Sequence, residues 1–165
     1  MAGITGTPAL DFEAILQNAT AAEFDVLGDP VPQGSMRAFA RRGGGRPIVT
    51  ADNPRTRPWK DAVTWAAREA RRFTATEPVA VELAFTLRRP KGHSGKRGLL
   101  PSAPTYHGTK PDIDKLARAV LDSLVEAQVI ADDALVAWLR VAKGYSLSPA
   151  GDYPAPGVHV RVRVL

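Results

Sequence analysis

Along the chain, runs of strict apolar–polar alternation are interleaved with runs of helical spacing. Residues 78–88, PVAVELAFTLR, set Val79, Val81, Leu83, Phe85 and Leu87 on one side, the period-two signature of a strand. The closing VHVRVRVL does the same with Val158, Val160, Val162 and Val164. A shorter alternation over 23–28, EFDVLG, reads as an edge strand, and a further strand is expected around Leu135 to Lys143. Between these lie two helices. Pro58 opens the first, since a proline at the start of a helix sacrifices no needed donor. Trp59, Ala62, Val63, Ala66, Ala70 and Phe73 would form its buried stripe, with Arg68, Arg71 and Arg72 mostly opposite. The second runs from about Asp112 to Gln128, with Ile113, Leu116, Ala117, Val120, Leu121, Leu124 and Val125 on the i, i+3, i+4, i+7 template.

The connections are as telling as the elements. In DPVPQGSMRAFARRGGGRPIV, the pieces Met36–Ala40 and Pro47–Val49 can pair as a hairpin across Gly43 to Gly45. From Arg89 to Lys110 the chain is rich in Pro, Gly and Lys. A connection of that length without structure of its own is usually functional or mobile. Residues 1–22 are small, polar and weakly patterned, and are expected to be a flexible N-terminal extension before one domain over 23–165. No repeat or linker divides that domain. Strands bracketing two helices in irregular order predict an α+β fold, a mixed β-sheet packed against two main helices.

Composition narrows the function. The 165 residues suffice for one core. No cysteine is present, which excludes disulfides and thiolate zinc sites and suits a reducing cytoplasm. No apolar run approaches the ~18 residues of a membrane span. Formal charge is +5, but its distribution says more: Arg37 to Lys110 carries 16 basic and 5 acidic residues, the rest of the chain 6 and 12. A segment of net +11 beside one of net −6 suits a polyanion such as nucleic acid, although a solvated basic surface would look the same.

The acids are concentrated where the second helix begins and where it ends, in KPDIDKLARAVLDSLVEAQVIADD. In a regular helix Asp112 and Asp114 would stand about 200° apart. Pro111 holds Lys110 extended, so Asp112 falls at the helix entrance and both carboxylates can lean toward one point beyond the helix end. Asp132 and Asp133 lie at the far end of the helix–turn–strand unit and reach that point only if the next strand returns beside it. Three hard oxygen donors suit Mg²⁺ or Mn²⁺. The plainer alternative is capping at Asp112 and Asp114 and turn formation at Asp132 and Asp133. Carboxylates beside a phosphate backbone repel it unless a cation intervenes, and this favours a metal site in a nucleic-acid groove.

The string KPDIDKLARAVLDSL followed by ADDALV, with DPVPQGSMR and RRPKGHSGKRGLLPSAPTYHGTKPD upstream, resembles the RusA-type Holliday junction resolvases, especially phage-borne members, over about residues 24–165. The resemblance implies a metal-dependent endodeoxyribonuclease that nicks two strands of a four-way DNA junction. Two symmetric nicks imply a homodimer. It places the family's metal-binding carboxylates on Asp112, Asp114 and Asp133. The family's catalytic lysine falls on Arg118, a departure, because arginine holds phosphate but does not give up a proton. Lys115 is the nearby substitute.

Phosphate contacts are expected from Arg37, Arg41, Arg42, Arg46, Lys91, Lys96, Arg97, Lys110 and Lys143, the last alternatively capping its strand. His107 could serve as a general base, but a lone histidine in a loop is more often simply exposed, and that is the expectation. Trp59 and Trp65 are expected in the core more than as stacking platforms, and Trp138 in the core or at a dimer interface. Two other readings stand beside this one: a broader branched or flap DNA nuclease, and a non-catalytic DNA-binding module whose acids are helix caps.

Overall fold

The structure is a computed structural model and describes residues 18–34, 36–39, 48–51, 53–146 and 155–165. Four strands form the main sheet: β1 (Thr20–Leu27), β4 (Val79–Leu87), β7 (Val136–Tyr145) and β8 (Gly157–Val164). Their order is β1-β8-β4-β7, antiparallel except for the parallel pair β4–β7. Both β2 (Met36–Phe39) with β3 (Ile48–Ala51) and β5 (Ser94–Gly95) with β6 (Gly98–Leu99) form small antiparallel pairs. The helices are α1 (Thr56–Ala70) and α2 (Ile113–Glu126). This is the expected α+β fold with a mixed sheet and two main helices.

Strand β4 sits at the centre because its residues can be buried on both faces. Val79, Val81, Leu83, Phe85 and Leu87 turn into the core, while the small Ala80 and Thr86 are covered on the other side. Edge strand β1 begins at Thr20, earlier than the alternation from Glu23 suggested. Ala21 and Ala22 are fully buried, so the expected boundary of the N-terminal extension moves back; residues 1–17 lie outside those described. Gly157 lets β8 lie against β1, since a Cβ there would come within 2.3 Å of the Val26 carbonyl oxygen.

Helix α1 starts two residues before Pro58, which is tolerated because the first turn's N–H groups have no intrahelical partner. Its buried residues are Thr56, Trp59, Val63, Thr64 and Ala67, so the stripe is rotated from the expected one. Ala62 is exposed and Trp65 is 68% exposed, against the expectation of a core Trp65. The helix ends at Ala70, so Phe73 falls outside it and is exposed. In α2, Leu116, Ala117, Ala119, Val120, Ser123 and Leu124 are buried, while Ile113 is exposed. Lys60 Nζ in α1 donates to Asp122 Oδ2 in α2 at 3.0 Å and to Gln33 Oε1 at 3.2 Å, joining both helices to the connector that leads to the β2–β3 pair.

Candidate active site and nucleic-acid interface

Asp112 is the N-cap residue of α2, extended at φ −69°, ψ 137°, as expected for the residue after Pro111; the Lys110–Pro111 peptide is cis. Its side chain does not cap the helix. Lys115 Nζ instead donates to Asp112 Oδ2 at 2.8 Å. That hydrogen bond and charge hold the Asp112 carboxyl below its usual range, with Lys110 and Lys143 adding smaller contributions, and they raise Lys115. Asp114 lies in the first helical turn and is exposed. Arg118, one turn further on, is exposed and makes no hydrogen bond or ion pair among the described residues, so the i, i+4 pairing with Asp114 does not form.

Strand β7 does run back toward the helix entrance, but the residue it delivers there is Lys143. Its ammonium donates to the carbonyls of Thr109 and Pro111, both at 2.8 Å. This charge therefore anchors the entrance to α2, a role distinct from both the phosphate contact and the strand capping expected of it. Asp133 begins the 3-10 turn Asp133–Leu135, just before β7 and beyond the other end of α2. Fourteen residues of helix span about 21 Å, and Val136 to Lys143 about 23 Å of strand, so one chain sets Asp133 far from Asp112 and Asp114. Among the described residues no group of three or more His, Cys, Asp or Glu is placed to hold a metal. Asp132 is occupied as a cap, accepting from the Ala134 N–H at 2.8 Å.

The loop from Arg89 to Lys110 is more structured than its composition suggests. It contains the turn Lys91–His93 and the β5–β6 pair. Arg89 lies over the Tyr145 ring, its Cζ 4.3 Å from the centroid, and its Nη1 donates to the Pro104 carbonyl at 3.0 Å. The exposed lone histidine expected here is corrected: His107 is buried, its ring 4.6 Å from that of Tyr145, because the loop folds back over the end of β7. Burial first, and then the charge of Lys143, push the His107 imidazole down from its usual value. Lys91, Lys96, Arg97 and Lys110 are exposed on this loop. Arg37 lies on β2 opposite Thr50, whereas Arg41, Arg42 and Arg46 are outside the described residues.

Residues that pattern reading passed over are Arg89, Tyr145, Lys60 and Gln33. Gln33 stands in the quoted DPVPQGSMR string, and its main-chain N–H donates to the Lys115 carbonyl at 2.9 Å. Tyr145 closes a strand and carried no sequence signal of its own.

Exposed cations on a braced loop, next to a helix end bearing an exposed Asp114 and a Lys115-paired Asp112, suit a protein that handles a polyanionic backbone. The family model for endodeoxyribonuclease RusA matches residues 28–163, and the chain belongs to that family, endodeoxyribonucleases that act on Holliday junctions. Comparison with curated proteins gives no match. Among the described residues no helix is long and apolar enough to cross a membrane.

Proposed function

We propose that the protein resolves four-way DNA junctions by paired, divalent-metal-dependent phosphodiester hydrolysis, and that it does so as a homodimer whose two copies complete each other's acidic site. The observation that carries this reading is the separation of Asp133 from Asp112 and Asp114 by the length of α2. A catalytic role for all three requires either a large rearrangement or a second copy.

A second copy has a natural place to join. Among the described residues β7 pairs on one side only, with β4, and presents a ten-residue edge on which Leu139 is 42% exposed. An open edge of that length recruits another strand. Antiparallel pairing of two β7 strands about a two-fold axis near their middle would set the start of one strand beside the end of the other. Asp133 of one copy would then approach the Asp112 end of its partner.

The donor set fits a hard divalent cation: carboxylates only, partly exposed, at a helix N-terminus. Asp112, Asp114 and the partner's Asp133 would hold Mg²⁺ or Mn²⁺, with Asp132 next to Asp133 in the chain. Such an ion, when bound, supplies a nucleophilic water at neutral pH and offsets charge on the phosphate. The chain's own residues do the rest. Lys143 fixes the main chain that leads into Asp112. Lys115 offsets the Asp112 charge. Arg118, exposed one turn along the same helix, supplies a fixed positive charge for the pentavalent phosphate and no proton. The chain carries no cysteine, which suits work on DNA in a reducing cytoplasm.

A mixing experiment tests the shared site. Asp112→Asn and Asp133→Asn should each abolish Mg²⁺-dependent cleavage of a synthetic junction while retaining binding. Co-refolding the two variants creates mixed dimers in which one site carries both substitutions and the other carries none. Nicking activity should reappear in the mixture. If the mixture stays as inactive as either parent, the site is built within one chain and the shared arrangement is wrong.

A further inference from the structure

Tyr106 is 83% exposed, more than any other large hydrophobic side chain among the described residues. Scattered apolar residues on a surface need no explanation. The backbone beneath this one does. Two residues before it, the Pro104 carbonyl is held by Arg89 Nη1 at 3.0 Å; one residue after it, His107 packs on Tyr145. Thr109 and Pro111 are then tied down by Lys143. The Arg89 end is fixed in turn, because the Ser146 N–H donates to the Leu87 carbonyl at 2.7 Å and the Arg89 N–H to Ser146 Oγ at 3.4 Å. A rigid platform thus holds an aromatic ring out in solvent, six residues before Asp112.

The surroundings say what the ring would meet. The same loop exposes Lys91, Lys96, Arg97 and Lys110, and Leu99 and Leu100 are 43% and 39% exposed beside them. Apolar side chains raised among cations fit a nucleic acid whose bases as well as phosphates come within reach. Trp65 gives the contrast. It too is exposed, but Arg57 and Arg68 beside it are matched by Asp61 and Glu126, so that patch lacks the excess of cations the loop carries.

We propose that the 89–111 loop is a wedge: Tyr106 stacks on a base freed at the branch point, with Leu99 and Leu100 flanking it, while the loop lysines and arginine hold the adjoining backbone. This inference rests on the junction-cleaving reading and adds how the branch is told from continuous duplex, where every base is already stacked. Tyr106 would act on specificity and positioning, not on the bond being broken.

The test uses the full-length protein, in EDTA, with a synthetic four-way junction carrying 2-aminopurine in the base pair at the crossover, and a linear duplex of the same sequence. Wild-type protein should prefer the junction, and 2-aminopurine, placed opposite the base that stacks on Tyr106, should brighten as its pair opens. Tyr106→Ala should lose the rise and cut the junction-over-duplex preference on the order of ten-fold, the range expected for one stacked base. The salt dependence of binding should stay unchanged, since no phosphate contact is removed. Tyr106→Phe should behave as wild type. Unchanged fluorescence and preference in Tyr106→Ala, with a junction preference intact in wild type, overturn the wedge alone. So does Tyr106→Phe failing like Tyr106→Ala, which would assign the role to the hydroxyl. No junction preference in wild type overturns the junction reading and the wedge with it.

Discussion

Lys143 shows how a charge on this surface is used structurally. Its ammonium is shared between two carbonyls of the segment entering α2, and its charge adds to burial in holding the His107 imidazole below its ordinary value. His107 packs on the Tyr145 ring, which Arg89 and His93 also meet, and Lys143 is the charge that acts on the imidazole. Because its folded value lies below the ordinary 6.5, the unfolded chain takes up this proton first as pH falls. The stabilisation is complete above about pH 6.5 and is lost progressively below it. Urea unfolding at pH 7.5 and at pH 5.5 should therefore show a smaller acid loss in His107→Gln than in wild type. Identical losses in the two proteins would mean that His107 titrates normally in the fold. Sequence gave no hint of this burial, because it arises from a loop returning to a strand end 38 positions away.

At the level of elements, α2 matters most, and its two ends behave differently. The entrance follows from local chemistry: Pro111 blocks earlier helix, Asp112 takes the extended cap position, and Asp114 favours the first turn. The exit is closed by main-chain bonds from Gln128 to Val125 and from Val129 to Leu124, with Gln128 at φ +59° where glycine is usual. Arg71 Nη1 donates to the Gln128 side chain and to the Ala127 carbonyl, both at 3.2 Å, which explains a side chain at this position. Gln128→Val puts a β-branched residue in the left-handed region and should destabilise by roughly 1–2 kcal/mol. Thermal or urea unfolding reads this directly, and a neutral effect would show that the exit tolerates a different geometry. Leu116, Ala117, Val120 and Leu124 could be read from spacing alone, whereas the rotated stripe of α1 could not. Which side of an alanine-rich helix is buried depends on what packs against it, and Ala62 and Ala67 look alike in sequence.

For the whole molecule, the open edge of β7 and the division of the aspartates lead to one expectation. The protein should sediment as a dimer at micromolar concentration. Leu139→Lys, which places a charge on that edge strand, should shift it toward monomer and reduce cleavage of both junction strands together. A dimer that persists unchanged in Leu139→Lys would move the interface elsewhere. A monomer at full activity in the parent protein would refute paired sites.

The sequence alone determined the elements and the inventory of charge. Alternation and helical spacing depend on each residue's own polarity and on a fixed repeat, so β4, β8, α2 and the α+β class are legible without neighbours. The segregation of bases and acids is legible for the same reason. What only the tertiary structure decided is adjacency. It chose parallel pairing of β7 with β4, buried Ala21, Ala22 and His107, exposed Trp65 and braced the loop under Tyr106. It also sent Lys143, and not Asp133, to the mouth of α2. That last outcome has a simple cause: a strand following a helix returns antiparallel to it, so the residue beside the helix entrance lies a strand's length beyond the turn. Neither the spacing of the aspartates nor their chemistry contains that length.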